Sequence, residues 1–257
     1  MKKILCIGLA FVLVGIFSMG AYAADSGLKA KIISTKGDVK VDPQGNGSWV
    51  AANVNMELNQ GAIIKTGAGS SANLAFDTAM LNVLNVEENT TLSVDTLSEK
   101  LSEVGLSNGK ILANLKGLKG GSTFQVKTPT AIAGARGTGL GVEFARGITY
   151  IEAFENSILV IGRDSRGASM AVMVDVPAGW KSSVGMGENP TPPVALTANE
   201  LRVWNAWVQV VTRLAAQAAA AAKTAPPTQT PITSTEQEAQ QTANQQQVKL
   251  EGSGYTS

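Results

Sequence analysis

Residues 128–144 read TPTAIAGARGTGLGVEF, one arginine in a glycine-dense run entered through a proline. Three readings compete: a phosphate cradle, an active-site loop, or a piece of architecture. Gly137-Thr138-Gly139-Leu140-Gly141 has the spacing G-x-G-x-G rather than G-x-G-x-x-G, and Val142, Glu143 and Phe144 continue as a strand instead of opening a helix. A dinucleotide site needs a helix N-terminus, whose N–H groups hold the phosphate. Gly134 and Gly139 have P-loop spacing, but Leu140-Gly141 stands where lysine and a hydroxyl residue are required. Architecture is what remains. Thr128 before Pro129 is held extended, and Pro129 cannot donate to a ladder, so the chain leaves its sheet there. The glycines then let the backbone pass close to another layer. Arg136, caught in that crossing, is expected to be at least partly buried, with Glu143, Asp77, Glu87 and Glu88 as candidate acceptors.

Outward from this run, the stretch from Leu28 to about Gly187 is a succession of short apolar segments broken by Gly, Asn, Asp and Ser, the pattern of an all-β domain. Val39 and Val41, Leu74 and Phe76, Leu92 and Val94, and Phe124 and Val126 each alternate with polar neighbours, so one face of each strand is predicted to be buried. Ile158–Ile161 and Met170–Val174 are apolar at both parities and are expected to lie between two layers. The spacing fits a sandwich or a β-roll.

The N-terminus reads as a secretory signal peptide over 1–23: Lys2 and Lys3, an apolar run to Phe17, and Ala21-Tyr22-Ala23 as the cleavage site. Cys6, the one cysteine, falls inside it, so neither a disulfide nor a lipid anchor is expected. Without Lys2 and Lys3, 19 basic residues face 20 acidic ones and no polybasic run appears, which argues against a nucleic-acid partner. Histidine is absent. That removes Ser-His-Asp and Cys-His pairs, HExxH zinc sites and thiolate cages, so no cofactor, metal or catalytic residue is assigned and the chain is read as not an enzyme. Glu87-Glu88 and Asp42 do not make a glycosidase pair, because adjacent strand residues point to opposite faces.

At Asn189-Pro190-Thr191-Pro192-Pro193 the composition changes to that of a stiff linker, placed at 188–196. Thr197-Ala198-Asn199-Glu200 is a capping box, and an amphipathic helix is predicted to run to Lys223. Its wide apolar arc, with Leu201, Trp204, Trp207, Val208, Val211 and Leu214, must be covered, either by its own β-domain or by a second copy or partner. Residues 224–257 are rich in Gln and Thr and read as a disordered tail.

The stretch Phe124-Gln-Val-Lys-Thr-Pro-Thr-Ala-Ile-Ala-Gly-Ala-Arg-Gly-Thr-Gly-Leu-Gly-Val142 resembles the hallmark of the FecR-like domain. Gly37-Asp-Val-Lys-Val41, Leu58 to Leu74, Leu106 to Leu115 and Ala178-Gly179 agree with other parts of that family in order and spacing, so the similarity spans about 30–187. The resemblance implies an all-β domain of solenoid or roll type over 28–187, with a sandwich-like arrangement as the alternative. It makes Thr128, Pro129, Gly134, Arg136, Gly137 and Thr138 the family motif, read as structural. Ala62, Thr78-Ala79 and Leu140 depart from the family's usual Asp, Asp-Gly and aromatic residue. The family's name members are inner-membrane regulators with a sigma-factor-binding segment and a transmembrane helix, and the sequence offers neither. The expectation is an exported, periplasmic binding or scaffold protein of the cell envelope, with secretion or surface display as the alternative. Its expected partner is an envelope protein or, as the runner-up, a cell-wall glycan. It has no membrane span of its own, and a homo-oligomer is open.

Overall fold

The computed structural model describes residues 29–118 and 121–224. The signal sequence, Cys6 and the tail beyond Thr224 lie outside them. In chain order the elements are β1 (Ala30–Lys36), β2 (Val39–Asp42), β3 (Val50–Ala51), β4 (Glu57–Leu58), β5 (Ile63–Thr66) and β6 (Ser71–Ala75). They continue with β7 (Asn82–Val86), β8 (Thr91–Leu97), β9 (Leu101–Leu115), β10 (Thr123–Lys127), β11 (Ala131–Ala135) and β12 (Gly139–Ala145). The last are β13 (Ile148–Glu155), β14 (Ile158–Arg163), β15 (Ser169–Val176), β16 (Trp180–Gly185), β17 (Val194–Ala195) and the helix α1 (Ala198–Thr224).

Strand pairing makes two sheets. One, here the covered sheet, runs β4-β1-β6-β7-β9-β12-β13-β16-β17. The other, the open sheet, runs β3-β2-β5-β8-β9-β10-β11-β14-β15. They share β9, whose first half pairs with β8 and β10 and whose second half pairs with β7 and β12. The crossing falls at Gly109, which has φ of 92° and whose missing side chain leaves room for Thr90. Glycine adopts that φ without the steric cost other residues meet. The Thr90 hydroxyl accepts from the Lys110 N–H at 3.0 Å, which fixes the bend.

All pairings are antiparallel except β9–β10, so the arrangement is sandwich-like and the stacked parallel coils of a solenoid are limited to that one pair. Alternate residues of both sheets fill one core: Ile32, Leu74, Leu84, Ile111, Val142 and Ile151 from the covered sheet, and Val41, Ile64, Leu92, Leu106, Phe124 and Val160 from the open one. The period-two reading of the sequence holds at Val39 and Val41, Leu92 and Val94, and Phe124 and Val126, whereas at Leu74 and Phe76 the intervening polar residue Asn73 is buried as well. It fails at β15. Met173 is 54% exposed and Val172 44%, so this strand lies at an outer edge rather than between layers. In β14 Ile158, Val160 and Gly162 are buried, while Leu159 faces out.

The segment expected as a linker follows β16 instead of hanging free. Thr191 N–H donates to Ser183 O at 2.9 Å, β17 pairs with Trp180 and Lys181, and Leu196 N–H donates to Gly179 O at 2.8 Å. The capping box then forms as predicted: Thr197 N–H donates to Glu200 Oε2 at 2.6 Å and Glu200 N–H to Thr197 Oγ1 at 3.3 Å. Lys181 Nζ, 2.6 Å from Glu200 Oε1, ties that first turn to β16.

From there α1 lies on the outer face of the covered sheet. Trp204, Trp207 and Val211 are buried against Ala75, Val83 and Leu112, with Val208 and Phe154 at the margin. The Trp204 ring stacks on Phe154 with centroids 4.5 Å apart and planes 3° from parallel. It fills the space above Gly139, where any Cβ would collide with it. Trp207 Nε1 donates to Asn73 Oδ1 at 3.0 Å, and Asn73 is held in turn by Asn85 and Ser34. Of the six apolar helix residues singled out by sequence, Trp204, Trp207, Val208 and Val211 face the sheet, Leu214 is half-buried, and Leu201 is exposed.

Trp204→Ala should therefore cost about 3–5 kcal/mol of stability by removing a packed aromatic. Leu201→Ala should change it by no more than about 0.5 kcal/mol. Urea unfolding of the two variants tests this, and equal losses would contradict the placement of the helix.

Candidate functional site

The run that opens the motif is a hydroxyl clamp. Thr128, Thr130 and Thr149 are all buried, and the Thr149 hydroxyl lies 2.6 Å from those of both Thr128 and Thr130. Thr149 belongs to β13 of the covered sheet, while Thr128 and Thr130 lie in the turn between β10 and β11 of the open one. The three hydroxyls thus join the layers across the core, each satisfying another where water is excluded. Arg163 completes the clamp from β14: its Nη1 donates to Thr128 O at 2.5 Å and its Nε to Gly167 O at 3.0 Å. Pro129 sits between the two threonines, and Thr138 is buried beyond the turn, its carbonyl accepting from Leu115 N–H at 3.0 Å. Gly137, with φ of 65°, offers its carbonyl to Asn156 Nδ2 at 2.7 Å. Neither Thr149 nor Arg163 was singled out from sequence; a threonine among apolar alternates was the one available hint.

Arg136 is not buried, contrary to expectation. It is exposed, and the carboxylates named for it are engaged elsewhere. Asp77 accepts from the Leu81 and Asn82 N–H groups, Glu88 accepts from Gly69 N–H, and Glu87 and Glu143 gather around Lys110. Of the glycines in the crossing, Gly139 leaves the space that Trp204 fills, and the arginine borders the open sheet instead.

There it borders an apolar face. Register places Ile132, Ile161 and Met173 in one row across β11, β14 and β15, and Gly134, Leu159 and Asp175 in the next. Directly opposed residues of antiparallel strands share a face. A shallow groove of about 390 Å³ runs over them, lined by Gln125, Ile132, Arg136, Leu159, Ile161 and Met173. Leu159 is 44% exposed, and the Lys127–Glu103 ion pair, 2.7 Å long, stands beside the groove. The site is thus an apolar floor with a guanidinium at its rim. It brings together two of the motif residues, Gly134 and Arg136.

A second polar region flanks α1 on the covered sheet. Lys110 Nζ lies 3.0 Å from Glu152 Oε2, a nearly buried carboxylate. Burial is the largest single influence and would lower the Lys110 pKa, but Glu152, Glu87 and Glu143 together outweigh it and the net shift is upward. Glu87 is pushed up, chiefly by burial, with Lys110 opposing. This is an ion-pair network in which Glu152, Glu87 and Glu143 surround one lysine. Among the described residues no group of three or more His, Cys, Asp or Glu is placed to hold a metal ion, and no helix is long and apolar enough to cross a membrane.

Residues 62–159 match the family model described as FecR protein, a span from β5 into β14 that includes the three threonines of the hydroxyl clamp, the glycine run and the floor of the groove apart from Ile161 and Met173. These residues carry a FecR domain. Two crystal structures of a candidate anti-sigma factor from Parabacteroides distasonis ATCC 8503, at 1.65 and 2.50 Å resolution, are similar to this FecR-domain chain with TM-scores of 0.45. Their sequence identities are 13% and 12%, and each match covers 55% of this chain and 63% of that protein. The match thus spans less than two thirds of the solved protein. Among curated proteins no match was found.

Because a raised folded pKa means the proton is held more tightly in the folded state, Glu87 favours folding below its unfolded pKa near 4.5, and that contribution is lost as pH rises through the folded value. Glu87→Gln is accordingly expected to raise the melting temperature at pH 7 and to leave it unchanged near pH 4. A variant less stable than the parent at pH 7 would show that Glu87 is needed as a charge.

Proposed function

We propose that this FecR-domain chain is a non-catalytic binding or scaffold protein of the bacterial cell envelope, working in the periplasm and docking a protein on the outer face of its open sheet. The observation that carries this reading is the asymmetry of the two layers. The covered sheet has its apolar outer face shielded by Trp204, Trp207 and Val211, whereas the open sheet presents Ile132, Leu159, Ile161 and Met173 with Arg136 beside them. Soluble proteins rarely leave such a contiguous apolar face without a use, and arginine at the edge of an apolar floor is the composition of a protein interface. The FecR domain supports a signalling or regulatory role in the envelope.

A protein-docking face has a direct test. The purified chain should retain a protein partner from envelope extract, Leu159→Asp should lose it, and Arg136→Ala should weaken it. Both substitutions are at exposed positions, so melting temperatures should stay close to that of the parent. Equal retention of the partner by all three forms would reject the docking face. Sedimentation of the chain with peptidoglycan, in place of a protein partner, would favour a glycan-binding module instead.

A further inference from the structure

Gly134 stands inside β11 without either of the usual reasons for a glycine. Its backbone does not enter the left-handed region, and no part of the chain occupies the space its missing side chain leaves: a Cβ built there would have Leu159 O, at 3.8 Å, as its nearest neighbour. Gly139 in the same run differs, because Trp204 fills the space above it, and at Gly105 of the open sheet the Ser93 hydroxyl and the Asp95 carboxylate take the space. A glycine within a strand weakens it and often marks a place where another molecule approaches closely. On the outer face the neighbours of Gly134 along β11 are Ile132 and Arg136, and across the ladders they are Gln125 and Leu159. The groove over the open sheet therefore has a hollow at its middle, one side chain deep.

We infer, on the basis of the docking face proposed above, that this hollow receives a large apolar side chain from a protein segment whose next residue carries a carboxylate, and that Arg136 binds this carboxylate. Charge directs the second contact. Arg136 is exposed and has no ion pair among the described residues. It lies two residues from Gly134, about 6.5 Å along the strand, within reach of the residue beside the one inserted. The other charges nearby are engaged or oppose a carboxylate: Lys127 is paired with Glu103 at 2.7 Å, and Asp175 stands beyond Leu159 in the same row as Gly134. A carboxylate is thereby drawn to the Arg136 side and kept from the Asp175 side. The guanidinium can take it through two parallel N–H donors while the arginine stem covers the edge of the inserted group. The occupant is a protein segment rather than a free small molecule, because the groove is shallow and a small molecule is held by enclosure of most of its surface.

The test is an amide NMR titration of the purified chain with capped tetrapeptides in which glycines flank phenylalanine-aspartate, phenylalanine-asparagine, alanine-aspartate or phenylalanine-lysine. The phenylalanine-aspartate peptide should move the signals of Gly134, Leu159 and Arg136. Asparagine in place of aspartate should weaken it about two- to fivefold, the range an exposed ion pair supplies, and alanine in place of phenylalanine should abolish it. Gly134→Val fills the hollow where there is room for a side chain, so it should lose the peptide and keep the parent's melting temperature. Arg136→Glu should reverse the charge preference and select the lysine peptide. Equal affinity for the aspartate, asparagine and lysine peptides would overturn the carboxylate contact. Unchanged binding in Gly134→Val, or no shift at these residues with any peptide, would overturn the hollow. Should Gly134→Val melt lower than the parent, the charge reversal in Arg136→Glu, at an exposed position, decides alone. The docking face is judged separately: a protein partner kept by Gly134→Val but lost by Leu159→Asp would leave the face in place and remove this inference, and equal retention by both variants and the parent would remove both.

Discussion

The structure depends on one steric arrangement: the indole of Trp204 occupying the space above Gly139, where a side chain would otherwise stand. Residue 139 can be nothing larger while the ring lies flat on Phe154 at 4.5 Å. That contact fixes the height of α1 over β12 and β13. It allows Trp207 to reach the Asn73–Asn85 pair with its N–H satisfied, which a buried indole requires. The capping box and the Lys181–Glu200 pair then only need to start the helix in the right direction. Each buried large side chain stabilises the docked state by roughly 1.5–3 kcal/mol, so Trp204, Trp207 and Val211 outweigh any single polar contact at its ends.

This arrangement answers what the glycine-rich run is for. Its first part, the threonine-proline turn, ties one layer to the other through Thr149; its last part yields the surface on which the helix lies. Arg136 stands between the two functions, at the point where the chain passes from the open sheet to the covered one. With the covered face occupied by the chain's own helix, a docking surface of the kind proposed needs another outer face. The apolar floor over β11, β14 and β15 is where the molecule leaves one.

Much of this was legible in the sequence. Local signals that depend on one strand or one turn were reliable: the alternation at Val39 and Val41 or Phe124 and Val126, the capping box at Thr197 and Glu200, and the stripe of Trp204, Trp207 and Val211. Signals that depend on which strands become neighbours were not. Met170–Val174 has the composition of an interior strand, and nothing local says that it is the last of its sheet. Arg136 was expected to be buried because the backbone passes close to another layer there. The close neighbour turned out to be a tryptophan 65 residues further on, and it presses on Gly139 rather than on the arginine. Thr149 and Arg163, which hold the motif together, are distant in sequence from the turn they support. Pairing of that kind has no periodicity to reveal it.

The central claim is that α1 is an integral part of the β-domain, with its apolar stripe spent on the covered sheet. Equilibrium unfolding of the chain truncated after Pro193, set beside the untruncated chain, tests it most directly. Removal of the helix should bare Ala75, Val83, Leu112 and Phe154, lower the stability by several kcal/mol, and make the fragment bind hydrophobic dyes or aggregate. A fragment that keeps the parent's melting temperature and stays soluble would mean that the helix is an appendage, and that its tryptophans belong to a partner.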